Sequence, residues 1–157
     1  MEWALPSKIK IYEALGAIAD SRIELNENKN GARVFSSSRN KFYTVNYDEK
    51  LNSIMANDNG SYWKNYLGYP SIAFLMSIGK IIYTKKFSEA LKGIKWKDLN
   101  TKFKNDFEKS MQVVMEQVEK TGVKKKELEL EADKIFEQIR QLNMKMLFPK
   151  IIPPSGY

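Results

Sequence analysis

Lys41-Phe42-Tyr43-Thr44-Val45-Asn46-Tyr47 decides how this chain is read. Aromatic and β-branched residues fill it, and such residues favour a pleated, half-buried strand. Its neighbours extend the pattern. Arg22 to Leu25 alternate charged and apolar side chains, with Ile23 and Leu25 on one face. Residues 26–31 form a polar turn ending in Asn30-Gly31, a strong hairpin signal. A strand over 32–37, a Ser/Arg/Asn turn at 37–40 and a turn at 48–50 follow, then a fourth strand over 51–56. The segment 22–56 therefore reads as an antiparallel meander.

Helices flank the meander. Ser7 follows Pro6 and can cap a helix over 8–20, where Ile11, Leu15 and Ile18 keep helical spacing. After Pro70, residues 71–78 form an almost wholly apolar helix that Gly79 ends, and apolarity on all sides means burial. A short helix covers 87–91. Asp98 can cap a long one in which Leu99, Phe103, Phe107, Met111, Val114 and Val118 make a stripe, closed at Thr121-Gly122. From Lys124 a second long helix carries Leu128, Ala132, Ile135, Ile139, Leu142 and Met146 at heptad-like spacing. The two make an αα-hairpin. Its seam faces inward, or else Leu128, Ile135, Ile139 and Leu142 form an interface with another protein or a second copy. The class is α+β: an N-terminal helix, a β-meander and an apolar helix over 1–80, a helical unit over 81–148, and a Pro-rich tail over 149–157, expected to be extended or disordered.

Composition narrows the chemistry. Of 157 residues none is histidine, and none is cysteine, so disulfides and thiolate metal sites are excluded. The commonest general base is also missing. No phosphate-binding glycine loop occurs. Asn57-Asp58-Asn59-Gly60 fails as a calcium loop because Met55 and Tyr66 stand where acids are needed. Asn59-Gly60-Ser61 matches a glycosylation acceptor, but no secretion signal supports it. The carboxylate pairs Asp48/Glu49 and Glu127/Glu131 fall in turns or on charged helix faces. Ser36-Ser37-Ser38 has no histidine partner, and a Ser–Lys arrangement would depend on the fold. The expectation is a protein that is not an enzyme and needs no cofactor or metal. No run reaches the ~18 apolar residues of a membrane span. With no signal-peptide pattern at Met1 to Pro6, the chain reads as cytoplasmic.

Charge suggests a partner. The net charge is +7. Residues 81–157 hold 16 Lys/Arg against 11 Asp/Glu, while residues 1–80 hold 10 against 8. A basic face draws anions, and DNA or RNA is the first candidate. The residues for it are Lys85, Lys86, Lys92, Lys95, Lys97, Lys102 and Lys104, with Tyr62, Trp63 and Tyr66 as stacking groups. The same lysines can equally form a solvated face, and the aromatics a small core.

Phe42-Tyr43-Thr44-Val45, Ile54-Met55-Ala56-Asn57-Asp58 and Gly68-Tyr69-Pro70-Ser71-Ile72-Ala73, followed by the apolar stretch to Ile78, resemble in order the SWIM domain, a small zinc-binding module. On that register the ligand slots fall at Ile54, Ala56, Ser71 and Ala73, none of which can bind zinc. The resemblance covers residues 8–80. It implies a scaffold for binding DNA or protein, without its metal and with another core in its place.

Overall fold

The structure, a computed structural model, describes residues 1–155; Gly156 and Tyr157 of the expected tail lie outside the described residues. The central alternation becomes strand β3 (Phe42–Asp48), with Tyr43, Val45 and Tyr47 buried and Phe42 and Asn46 exposed. β1 (Ile23–Leu25), β2 (Gly31–Phe35) and β4 (Ser53–Ala56) flank it in an antiparallel meander. Facing pairs such as Ala32 with Val45 and Tyr47 with Ile54 fix the register. A fifth strand, β5 (Lys145–Met146), runs parallel to β4 at the sheet edge. It closes a chain that has by then passed through every helix.

Helix α1 (Lys8–Ala19) is buried on most of its surface because three helices surround it. α3 (Tyr69–Ser77) lies on the sheet against β2, β3 and β4, and α1 lies on α3. α4 (Lys85–Ala90) and α7 (Lys125–Leu142) then pack on α1. The layers are sheet, α3, α1, and α4 with α7. Between β4 and α3 sits the short α2 (Asn59–Lys64), whose N-cap Asp58 accepts from the Ser61 amide.

One expectation needs correction. The long helix over 98–120 is two helices, α5 (Trp96–Lys102) and α6 (Phe107–Lys120). Lys104 and Asn105 take left-handed conformations between them, with φ of 52° and 62°. Asp106, not Asp98, supplies the side-chain cap, accepting from the Lys109 amide. One apolar cluster spans residue 80, running from Trp3 and Ile11 through Val45, Ile54 and Phe74 to Val118, Ile135 and Met146.

The α7 seam joins that cluster. Leu128, Ala132 and Ile135 are fully buried, Ile139 nearly so and Leu142 half-buried. Leu128, Ala132, Ile135 and Ile139 face the chain's own core, and Leu142 packs against its edge. The seam was legible; its occupant is α1 and the rest of the fold. Residues 148–155 are not loose either: the Asn57 side-chain amide donates to Ile152 O, and Lys150 is tied to α2. Among the described residues, no helix is long and apolar enough to cross a membrane.

Candidate functional site

Glu13 is the only acid in the apolar run from Ile9 to Ala19, and it is 4% exposed. A buried carboxylate requires partners. Lys10, one turn earlier, puts Nζ 3.2 Å from Glu13 Oε2. From α5, Asn100 Nδ2 donates to Glu13 Oε1 at 3.0 Å. Lys10 also lies over the Phe107 ring, 5.5 Å from its centre. Beyond the end of α1, Arg22 is 2% exposed. Its Nη1 donates to Phe35 O at 2.7 Å, and its Nε lies 3.4 Å from Asp20 Oδ2. Asp58, also buried, turns one oxygen to the Ser61 amide at 3.2 Å. A β-carbon at Gly68 would lie 2.2 Å from Asp58 Oδ2, so only glycine at 68 lets this carboxylate fold in.

These groups form the floor of a cleft of about 710 Å³. α1 and the turn after it supply Lys10, Glu13 and Arg22; α2 supplies Asn59, Gly60, Trp63 and Lys64; the approach to α3 supplies Tyr66 and Tyr69. The far wall is α5 with Trp96, Lys97 and Asn100, continued by Lys104, Asn105 and Phe107. Two contacts seat that wall. The Lys97 amide donates to Ser37 Oγ at 3.0 Å. Trp96 packs on α1 over Gly16, where a β-carbon would stand 2.9 Å from the indole nitrogen. A mid-helix glycine costs about 1 kcal/mol against alanine, and here it makes room for the wall.

Burial sets the electrostatics. It holds the Asp58 carboxyl above the ordinary carboxylate range, against the opposing pull of the Ser61 bonds and Lys10. It raises Tyr66 and Tyr69 too, with Lys10 opposing at the first and Arg22 at the second. Lys10 goes the other way: burial alone would lower it, but Glu13, Tyr66 and Asp58 together keep it above its usual value. The tyrosines are thus neutral hydroxyls and Lys10 a fixed ammonium. Arg22 Nη2, Asp58 Oδ1, Trp96 Nε1 and Asn100 Oδ1 are buried with no hydrogen-bond partner within the protein. Unmet polar atoms gathered around one cleft mark a place where hydration or a ligand completes the structure.

A family model described as "Uncharacterised conserved protein UCP014422" matches residues 3–145. The chain belongs to this family. No curated protein and no solved structure matches it. The family span takes in the floor from Lys10 to Asp58 and the α5 wall, and ends before Lys150.

Of the basic and aromatic residues picked from sequence, the cleft gathers Lys97, Lys104, Trp63 and Tyr66. The others lie elsewhere. Lys85 lines a separate hollow beside Ile82 and Tyr83. Lys86 pairs with Glu127 at 3.4 Å. Lys92 and Lys95 are exposed outside the cleft lining, and Lys102 sits over the Phe103 ring. Tyr62 turns to Trp63 and Lys150. The expected continuous lysine face from 85 to 104 is therefore split between α4, which packs on α1, and the cleft wall. Ile54, Ala56, Ser71 and Ala73 are all buried on β4 and α3, and all but Ser71 belong to the apolar core. Among the described residues, no group of three or more acids could hold a metal ion. The carboxylate pairs noted in the sequence have structural partners: Glu131 accepts from the Thr84 amide at 2.5 Å, and Glu49 pairs with Lys80 at 3.0 Å.

Sequence reasoning missed Lys10, Glu13, Arg22, Asp58, Tyr69, Trp96 and Asn100. Only Glu13 announced itself, as an acid inside an apolar helix. The rest come together from segments far apart in the chain.

Proposed function

We propose that the protein is a non-catalytic binding protein and that its cleft receives single-stranded nucleic acid. One observation carries this: cations and rings alternate around a single cleft. Lys10, Arg22, Lys64, Lys97 and Lys104 face it against only Glu13 and Asp58. Tyr43, Trp63, Tyr66, Tyr69, Trp96 and Phe107 are set among them. Lysines at the rim meet phosphates, while an exposed ring accepts a base face; together they give affinity with little sequence choice. Trp63, 68% exposed on α2, is the stacking platform. A cleft of this size suits unpaired nucleotides, whose bases can turn in to meet the rings. Glu13 is held by Lys10 and Asn100, and one oxygen of Asp58 by the start of α2. The resemblance to a zinc module without its ligands is in keeping with a binding role.

The test is fluorescence anisotropy of a labelled poly-dT 10-mer. With about three phosphates neutralised, affinity falls on the order of tenfold between about 50 and 200 mM salt. Trp63→Ala weakens binding by about 1–3 kcal/mol. Absence of binding at the lower salt, or equal affinity for a duplex, contradicts the proposal.

A further inference from the structure

The cleft-facing residues of α2, namely Asn59, Gly60, Trp63 and Lys64, lie on one side of that helix. The opposite side meets the C-terminal segment. Lys150 directs its ammonium at the carbonyls of Ser61 and Tyr62, at 3.4 and 3.3 Å, and at Asn65 Oδ1. It also sits 5.4 Å from the Trp3 ring centre and 5.9 Å from that of Tyr62. A cation at the last carbonyls of a helix is favourable. The other end of α2 is held as well. Asn57, just before the cap, donates to Ile152 O at 3.1 Å while its own Oδ1 accepts from the Thr44 amide at 2.7 Å. The segment thus grips a helix of six residues at both ends. So short a helix has little stability of its own.

We propose that Lys150 is a positioning residue for the cleft: it lines no part of it, yet it sets the wall that carries Trp63 and Lys64. The inference rests on the nucleic-acid reading only for its ligand; the positioning itself is separate. The pairing of Ala4 with Tyr66 steadies the chain beyond Asn65 independently of Lys150, which acts on α2 and its C-cap. Without the ammonium, α2 spends less time in the binding geometry, and apparent affinity falls in proportion.

Three full-length forms decide it: wild type, Lys150→Met and Lys150→Arg. Each is measured for affinity to the poly-dT 10-mer, for amide exchange over residues 59–65, and for the chemical shift of the Trp63 indole N–H. Lys150→Met is expected to weaken binding about fivefold, the loss given by an α2 competent about a fifth of the time. It speeds exchange in α2 alone, leaving exchange around Ile135 unchanged. Lys150→Arg, which still offers donors to the same carbonyls, restores both. Unchanged affinity and exchange in Lys150→Met overturn the proposal, and so does faster exchange throughout the chain without rescue by arginine. If wild type binds no oligonucleotide, the ligand reading fails, and exchange with the Trp63 indole shift alone judges the positioning role. Lys150→Gln serves as a second neutral variant should the methionine form prove unstable.

Discussion

Helix α1 borders two buried regions of opposite character. Toward α7 it meets Leu128, Ala132, Ile135 and Ile139, all apolar and at most 3% exposed. Toward the cleft it presents Lys10 and Glu13, with Arg22 just beyond its end and Asp58 across from it. Apolar burial stabilises in rough proportion to area, at about 25 cal/mol per Å², and asks for no particular partner. Charged burial costs free energy unless every group is matched. The first region accounts for the fold. The second adds nothing that apolar side chains could not supply better, and it leaves Arg22 Nη2 and Asp58 Oδ1 unmatched. Buried ionisable groups left partly unmatched in a cleft support the proposed site.

The contrast can be broken from the apolar side first. Ile135→Ala should lower unfolding free energy by about 2–5 kcal/mol, by loss of contact plus a residual cavity, read from denaturant midpoints. Glu13→Ala comes next. It strips the partner from Lys10, whose side chain is 17% exposed. That should cost about 1–3 kcal/mol, with Glu13→Gln costing less because the amide still serves Asn100.

Asp58 sharpens the contrast through pH. Its folded-state value lies above the ordinary one, so between the two the folded chain holds the proton that the unfolded chain has released. Stability therefore falls as pH rises through that window, which begins near the ordinary value of about 3.9. Asp58→Asn keeps the cap acceptor and should flatten that slope, as measured by denaturation at several pH values. The smallest effect belongs to the surface. Lys85→Ala and Lys86→Ala should change stability by no more than about 0.5 kcal/mol and leave oligonucleotide affinity as it was. The exposed Lys86–Glu127 pair has little to contribute.

The apolar region was the legible one. Alternation at Tyr43, Val45 and Tyr47 and heptad spacing at Leu128, Ile135 and Ile139 are local periodicities, and the fold honours both. The break at Lys104-Asn105 was hidden because the apolar stripe through Leu99, Phe103 and Phe107 continues across it. Strand β5, of two residues, exists through its pairing with Ser53 and Ile54 on one side and with the N-terminal residues Met1 and Glu2 on the other. The cleft was almost illegible for the same reason. Lys10, Arg22, Asp58, Trp96 and Asn100 have no shared spacing, and only the stacking of α3, α1 and α5 brings them together. Lysine density pointed to 85–104, yet density in sequence places only Lys97 and Lys104 at the cleft.

The central claim is that the cleft, and not the lysine-rich stretch as a whole, receives the ligand. Amide and indole chemical-shift mapping with the unlabelled poly-dT 10-mer tests it most directly. The account predicts the largest changes at Trp63, Lys64, Tyr66, Lys97 and Lys104, with Lys85, Lys86 and Lys92 unmoved. Shifts centred on Lys85 and Lys86, or none at all, would contradict it.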